Sequence, residues 1–263
     1  MLPFDAVGEG PAVVLLHAGV ADRTMWAEHL QPLARHGYRV VAMDLPGFGE
    51  APLMSGEQAP WADVLQTMDE LGIEQAALVG NSLGGAVALR VAVVAPERVW
   101  ALALISAPAP GLEPSPELQA AWATEEEALE RGDVDAAAAA VVDAWTLPGA
   151  PDDVRDRVAA MQRRTFELQA DAAGGTEAID PVESHPDALA RLSVPAIVAA
   201  GELDKRDFIE GAALLAEALP GARHVVIEGA GHLAPLETPD AFRELVVILL
   251  REQPRPPTTP DPR

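Results

Sequence analysis

At 263 residues the chain is long enough for one α/β domain with an insertion, and a hydrophobic share of 49% is ample for a buried core. Asp and Glu number 41 against 18 Lys and Arg, and the resulting net charge of −23 sets up a field that repels nucleic acid and anionic membranes. Cysteine is absent, which excludes disulfides, thiolate zinc sites and a cysteine nucleophile.

In chain order, short apolar runs alternate with stretches of helical periodicity. A strand over Ala12 to Leu16 leads to a helix near Met25 to His36 and a second strand over Arg39 to Met43. A helix near Trp61 to Leu71 precedes the strand Ala76 to Val79, which runs into a helix that is apolar nearly all round, then a strand over Ala101 to Ile105. After a long interval come a strand over Ala196 to Ala200, a helix near Phe208 to Ala218, a strand over Val225 to Ile227 and a last helix from Pro239 to about Arg251. Such alternation predicts an α/β fold whose mostly parallel sheet is flanked by helices on both faces. The interval has a different texture. Pro108, Pro110, Pro114 and Pro116 form an exit linker, and alanine-rich helical periodicity follows. It predicts a helical cap over 109–190, inserted into a core of 1–108 and 191–253. The tail, 254–263, has proline and charge without apolar partners and is expected to be disordered. No basic-plus-apolar leader is visible, and no run approaches the roughly 18 apolar residues of a spanning helix, so a cytoplasmic location is expected.

Gly80-Asn81-Ser82-Leu83-Gly84 lies at the turn from the strand Ala76 to Val79 into the apolar helix. Reversing a strand into a helix around one residue holds that residue in a strained backbone conformation, and glycines two positions away remove Cβ atoms that would collide. The serine hydroxyl then projects above the sheet at the positive end of a helix dipole. Serine is also a favoured N-cap, so the case for a nucleophile rests on the partners that follow.

A serine nucleophile needs a base and a group to orient that base, and on this scaffold they follow it in the order acid, then histidine. His232, in Gly229-Ala230-Gly231-His232, is the candidate base: its glycines permit an irregular loop that can carry an imidazole back over the sheet. His224 begins a strand and His185 precedes a proline, which suits both to structural roles. Asp204, just past the strand that ends near Ala200, is the candidate acid, with Glu202 and Asp207 as rivals. The strand ending at Ile105 runs into Ser106-Ala107-Pro108 and offers no carboxylate. For the oxyanion hole, Gly19 or Val20 in the loop His17-Ala18-Gly19-Val20 would give one backbone N–H and Leu83 the other. Trp122, Trp145, Met161 and Phe166 of the cap, and Trp26 beyond the oxyanion loop, are candidates to line an apolar pocket, although large apolar side chains are usually core.

With these motifs in this order, the chain resembles the α/β-hydrolase superfamily over nearly all its length except about 110–190. Met43-Asp44-Leu45-Pro46-Gly47-Phe48-Gly49 resembles that family's D-x-x-G-x-G turn, Gly201-Glu202-Leu203-Asp204 its acid loop, and Gly229-Ala230-Gly231-His232 its catalytic loop. Ala18 stands where glycine is usual, and Ala51 where a serine is frequent. The resemblance implies a serine hydrolase, without metal or cofactor, that cleaves a small carboxylic ester or lactone through an acyl-enzyme. Asp22-x-x-Met25-Trp26 is similar to a feature of enol-lactonases. Carbon–carbon bond hydrolases and cofactor-free perhydrolases use the same triad. Non-catalytic ligand-binding members of the fold are a further alternative. Relatives that use an aspartate nucleophile are excluded by Ser82.

Overall fold

Apolar runs bounded by glycine, proline and polar turns pair here as predominantly parallel strands, because the helices between them supply the crossovers that parallel pairing requires. The computed structural model describes residues 1–170, 175–185 and 187–253, so the segment 254–263 lies outside the described residues. Strands are β1 (Phe4–Val7), β2 (Ala12–Leu16), β3 (Arg39–Met43), β4 (Glu57–Gln58), β5 (Ala76–Asn81), β6 (Val99–Ile105), β7 (Thr176–Glu177), β8 (Ala196–Gly201) and β9 (Arg223–Ile227). Helices are α1 (Ala27–Ala34), α2 (Pro60–Glu70), α3 (Leu83–Val94), α4 (Pro116–Glu130), α5 (Val134–Trp145), α6 (Asp152–Ala170), α7 (Ala188–Arg191), α8 (Arg206–Ala218), α9 (Ala234–Glu237) and α10 (Pro239–Glu252).

Among the described residues seven strands form one sheet in the order β1-β3-β2-β5-β6-β8-β9, all parallel except β1, which pairs antiparallel with β3 at the edge. The strands end nearly in register: Leu16 lies opposite Gly80, Asn81 opposite Ile105, Ile105 opposite Ala199, and Gly201 opposite Ile227. The segments that follow β2, β5, β8 and β9 therefore emerge along one edge, where an open α/β sheet builds its sites. Alternate strand residues feed two cores. Val13, Leu15, Val79 and Ala103 face α1 and α10, whereas Val14, Leu16, Leu78 and Leu104 face α2, α3 and α8.

Two features escape the periodicity of the sequence. The edge strand β1 is only half-buried, which leaves a weak apolar signal. The pair β4 and β7 matches Glu57 with Thr176 and Gln58 with Glu177, polar residues that carry no strand signature. The helix expected from Met25 is divided. Asp22 accepts the Thr24 N–H at 2.8 Å and caps a 3-10 turn over Arg23–Trp26, and the α-helix starts only at Ala27.

His29 sits wholly inside the core between α1 and α10, its ring edge-on to Phe242 at 4.9 Å and its Nε2–H donating to the Pro235 carbonyl at 2.9 Å. That bond makes Nδ1 the bare nitrogen, which faces Arg243, so a second proton has no welcome. Burial, the larger cause, and the nearby arginines lower its pKa to about 4 from 6.5. The unfolded chain then binds a proton between these values that the folded chain does not, so stability falls as pH falls through that window. Going from pH 7 to pH 4 is expected to remove roughly 3 kcal/mol through this residue. Urea unfolding at both pH values should show that His29→Gln has a smaller loss than the wild type. Equal losses would refute the assignment.

Candidate active site

The chain turns from β5 into α3 around Ser82, which adopts φ 53° and ψ −116°, a left-handed conformation that costs a non-glycine residue about 1–3 kcal/mol. Two close approaches enforce it. A Cβ on Gly80 would overlap the Gly84 carbonyl, and one on Gly84 would overlap the Leu16 carbonyl at the end of β2. The Ser82 N–H donates to Ile105 O at 2.8 Å, which ties the turn to β6. Leu83 opens α3, so its N–H has no carbonyl one turn earlier to receive it.

His232 Nδ1 lies 3.0 Å from Asp204 Oδ1 and 3.2 Å from Oδ2, both residues being nearly buried. Asp204 also accepts the Lys205 N–H at 2.7 Å. The imidazole packs beside two rings that also touch each other, Trp145 at 4.6 Å and Phe208 at 4.2 Å between centroids, with 5.9 Å between the two. The rival acids are engaged elsewhere. Glu202 accepts the Gly229 N–H at 3.0 Å, and Asp207 accepts the Ser115 N–H and Oγ–H at 2.6 and 2.7 Å. Burial works to raise the Asp207 pKa, but the bonds from Ser115 outweigh it and the net shift is downward. Ser106, at the end of β6, is buried with φ 49° and brings no carboxylate to the site.

Gly19 follows β2 beside the turn. A Cβ built on it would stand 3.6 Å from that of Leu83, which makes the two backbone segments neighbours. The loop is held by His17, whose Nδ1–H donates to Ala18 O at 2.8 Å while Nε2 accepts the Leu45 N–H at 2.9 Å. Complete burial lowers the His17 pKa and keeps the ring neutral, as both bonds need. Asp44, fully buried, accepts the backbone N–H groups of Arg23 and Glu50 and pairs with the Arg23 guanidinium. It thereby fastens the chain beyond Gly19 to the glycine turn after β3.

Two positioning groups were not singled out from the sequence. Asn81 Nδ2 donates to Ile105 O at 3.2 Å and to His232 O at 3.1 Å, which joins the nucleophile strand to the histidine loop. Glu237 accepts the N–H of Gly231 and of Leu147, each at 2.8 Å, and burial raises its pKa. Asn81 lies in Gly80-Asn81-Ser82-Leu83-Gly84, where a polar residue at the end of an apolar strand is the available signal.

Ser82, Leu83, Gly19, Val20 and His232 open together on a cavity of about 400 Å³. Its remaining wall comes from Pro108, Ala109, Leu112 and Pro114, from α4 (Leu118, Trp122, Glu125), from Trp145 and Gln162 of α5 and α6, and from Asp207 and Phe208 of α8. Trp122 and Trp145 line it, whereas Trp26, Met161 and Phe166 are not part of its wall. Trp26 is wholly buried against Phe242, with ring centroids 5.5 Å apart. Met161 turns its sulfur to the Asp22 N–H at 3.4 Å, and Phe166 lies in the same buried core cluster. Helical spacing marks these side chains as buried without saying which cluster receives them.

A family model described as alpha/beta hydrolase fold matches residues 11–239. A pimeloyl-[acyl-carrier protein] methyl ester esterase of Aeromonas salmonicida is 31% identical over 255 residues, 91% of this chain and 95% of that protein. The chain belongs to the alpha/beta hydrolase family. The structure of the enol-lactonase from Burkholderia xenovorans LB400 superposes with a TM-score of 0.76 at 26% identity, over 95% of this chain and 96% of that one. A 2-hydroxy-6-oxo-6-phenylhexa-2,4-dienoate hydrolase of Comamonas testosteroni is 38% identical over 112 residues, a match that spans only 40% of this chain and 39% of that protein.

The partners of the three carboxylates separate their expected roles. Asp204→Asn should lower kcat/KM by about 10³-fold or more, because an amide no longer holds the imidazole in the required tautomer. Glu202→Gln should change it by less than about tenfold, since only a loop contact is altered. Steady-state kinetics on a reactive ester checks this, and equal losses at both positions would show that Asp204 is not the orienting acid.

Proposed function

We propose that the chain is a serine hydrolase that cleaves a small carboxylic ester or lactone through an acyl-enzyme. The observation that carries this reading is the Asp204–His232 pair, 3.0 Å apart, with His232 opening on the same cavity as the strained Ser82. In this mechanism His232 Nε2 takes the Ser82 proton as Oγ attacks the carbonyl carbon. The oxyanion that forms is met by the N–H groups of Gly19 and Leu83. The tetrahedral adduct collapses, the C–O bond to the leaving alcohol breaks, and His232 passes its proton to that alcohol. Water, deprotonated by the same imidazole, then attacks the acyl-enzyme and releases the acid. Asp204 stabilises the imidazolium in both halves and remains a carboxylate. Packing of the imidazole against Trp145 and Phe208 favours one ring orientation, which this relay needs.

An ester is favoured over carbon–carbon bond cleavage by sequence, in which the methyl ester esterase matches over 91% of the chain and the Comamonas dienoate hydrolase over 40%. By structure the two classes are equally similar: the enol-lactonase covers 95% of the chain at 26% identity and a dienoate hydrolase of Rhodococcus 94% at 27%. A perhydrolase would share the triad but would need hydrogen peroxide in place of water at the second step.

A fluorophosphonate probe followed by intact-mass analysis should add one label per chain, at Ser82. Ser82→Ala should abolish labelling and lower turnover of p-nitrophenyl esters by about 10⁴-fold or more with the fold intact, because triad members act as a unit. A Ser82→Ala variant that keeps most of its activity would end this reading.

A further inference from the structure

The cavity over Ser82 is mostly apolar, and apart from Ser82 and His232 its polar side chains are Gln162, Glu125 and Asp207. Gln162, on α6, is only 3% exposed, and its side-chain Oε1 has no hydrogen-bond partner among the described residues. A buried carbonyl oxygen without a donor is destabilising, and a bound ligand that donates to it relieves that cost. Glu125, on α4, lines the same cavity, and its carboxylate has neither an ion pair nor a hydrogen-bond partner among the described residues. Burial raises its pKa, as a carboxylate facing an apolar space should experience. Asp207 is the other acid of the wall, with both oxygens engaged by Ser115. Among the described residues no lysine or arginine lines the cavity. The neighbouring cation, Lys205, stands 5.5 Å over the Trp145 ring and 3.8 Å from Glu117, outside the lining.

Resting on the serine-hydrolase reading, we infer that the substrate carries a hydrogen-bond donor, a hydroxyl or an ammonium, that is received by Gln162 Oε1 and Glu125, and that substrates bearing a free carboxylate are rejected. Hydrogen bonding explains the preference for a donor. A ligand lacking one leaves the Gln162 oxygen unsatisfied, whereas a hydroxyl or ammonium fills it. Charge explains the rejection. A carboxylate would be desolvated beside Glu125 and Asp207 with no cation to receive it. The apolar residues Leu112, Leu118 and Trp122 contact the carbon chain between the ester and the donor.

Two ester panels on the full chain test this. In the first, the methyl esters of hexanoic, 6-hydroxyhexanoic and 6-aminohexanoic acid and the monomethyl ester of hexanedioic acid are compared by acid release at pH 7. In the second, the same terminal groups are placed on the alcohol side of acetate esters. In at least one panel the hydroxyl or ammonium member should exceed the unsubstituted member about tenfold in kcat/KM, and the carboxylate member should fall about tenfold or more below it. Gln162→Leu and Glu125→Gln should each shrink the ratio of donor-bearing to unsubstituted ester several-fold. The hydroxyl and ammonium arms tell a neutral donor from a cation. Flat panels, or a preference for the carboxylate, with Ser82 still labelled by a fluorophosphonate, would overturn this inference alone. No labelling of Ser82 and no turnover in either panel would remove the hydrolase reading and this inference with it.

Discussion

The reversal of the chain at Ser82 is the constraint around which the rest of the molecule is arranged. A left-handed serine between a buried strand and a buried helix is costly, so it persists only where its surroundings leave no alternative. Here those surroundings are covalent and steric. The carbonyls of Leu16 and Gly84 occupy the space that side chains at Gly84 and Gly80 would need. The helix α3 is thereby drawn close to the end of β2. This closeness sets Gly19 beside Leu83, and two backbone donors become neighbours without any side chain being used.

Around that turn, buried polar side chains perform the work of fastening loops. Asp44 with Arg23, His17 with Leu45, Asn81 with His232 O, and Glu237 with Gly231 and Leu147 each join two segments distant in the chain. Loops supply the reactive groups of such a site but are poor at holding them, so each loop is tied by a bond to rigid structure. Removing Arg23 would leave the buried Asp44 carboxylate without its cation, whereas Arg23 has Asp5 and Glu50 as further partners. His17 shows the same economy: its two ring nitrogens serve one donor bond and one acceptor bond, and burial keeps it in the neutral form that does both.

The electrostatic character of the chain and that of the cavity agree. A net charge of −23 makes the surroundings of the site unfavourable to anions, and the cavity wall adds carboxylates without a compensating cation. Among the described residues no helix is long and apolar enough to cross a membrane.

By itself the sequence determined the order and type of the main elements, since a 3.6-residue or continuous apolar pattern is a local property. It also determined the turn at Ser82, because two glycines at that spacing have a steric reason that needs no distant partner. The half-exposed strand β1 and the polar pair β4–β7 were not legible, as neither has an apolar pattern. What only the tertiary structure decided is which groups meet. Asp204, Glu202 and Asp207 are near neighbours that each carry a carboxylate, and what separates them is whether His232, Gly229 or Ser115 arrives from elsewhere in the chain. The pocket follows the same rule. Trp26, Met161 and Phe166 carry the same apolar signal as Trp145, and each takes its direction from its packed partner: Trp26 from Phe242, Met161 from the Asp22 N–H, Trp145 from Phe208 and His232. Periodicity reports that a face is buried; only the packed partner reveals what it is buried against.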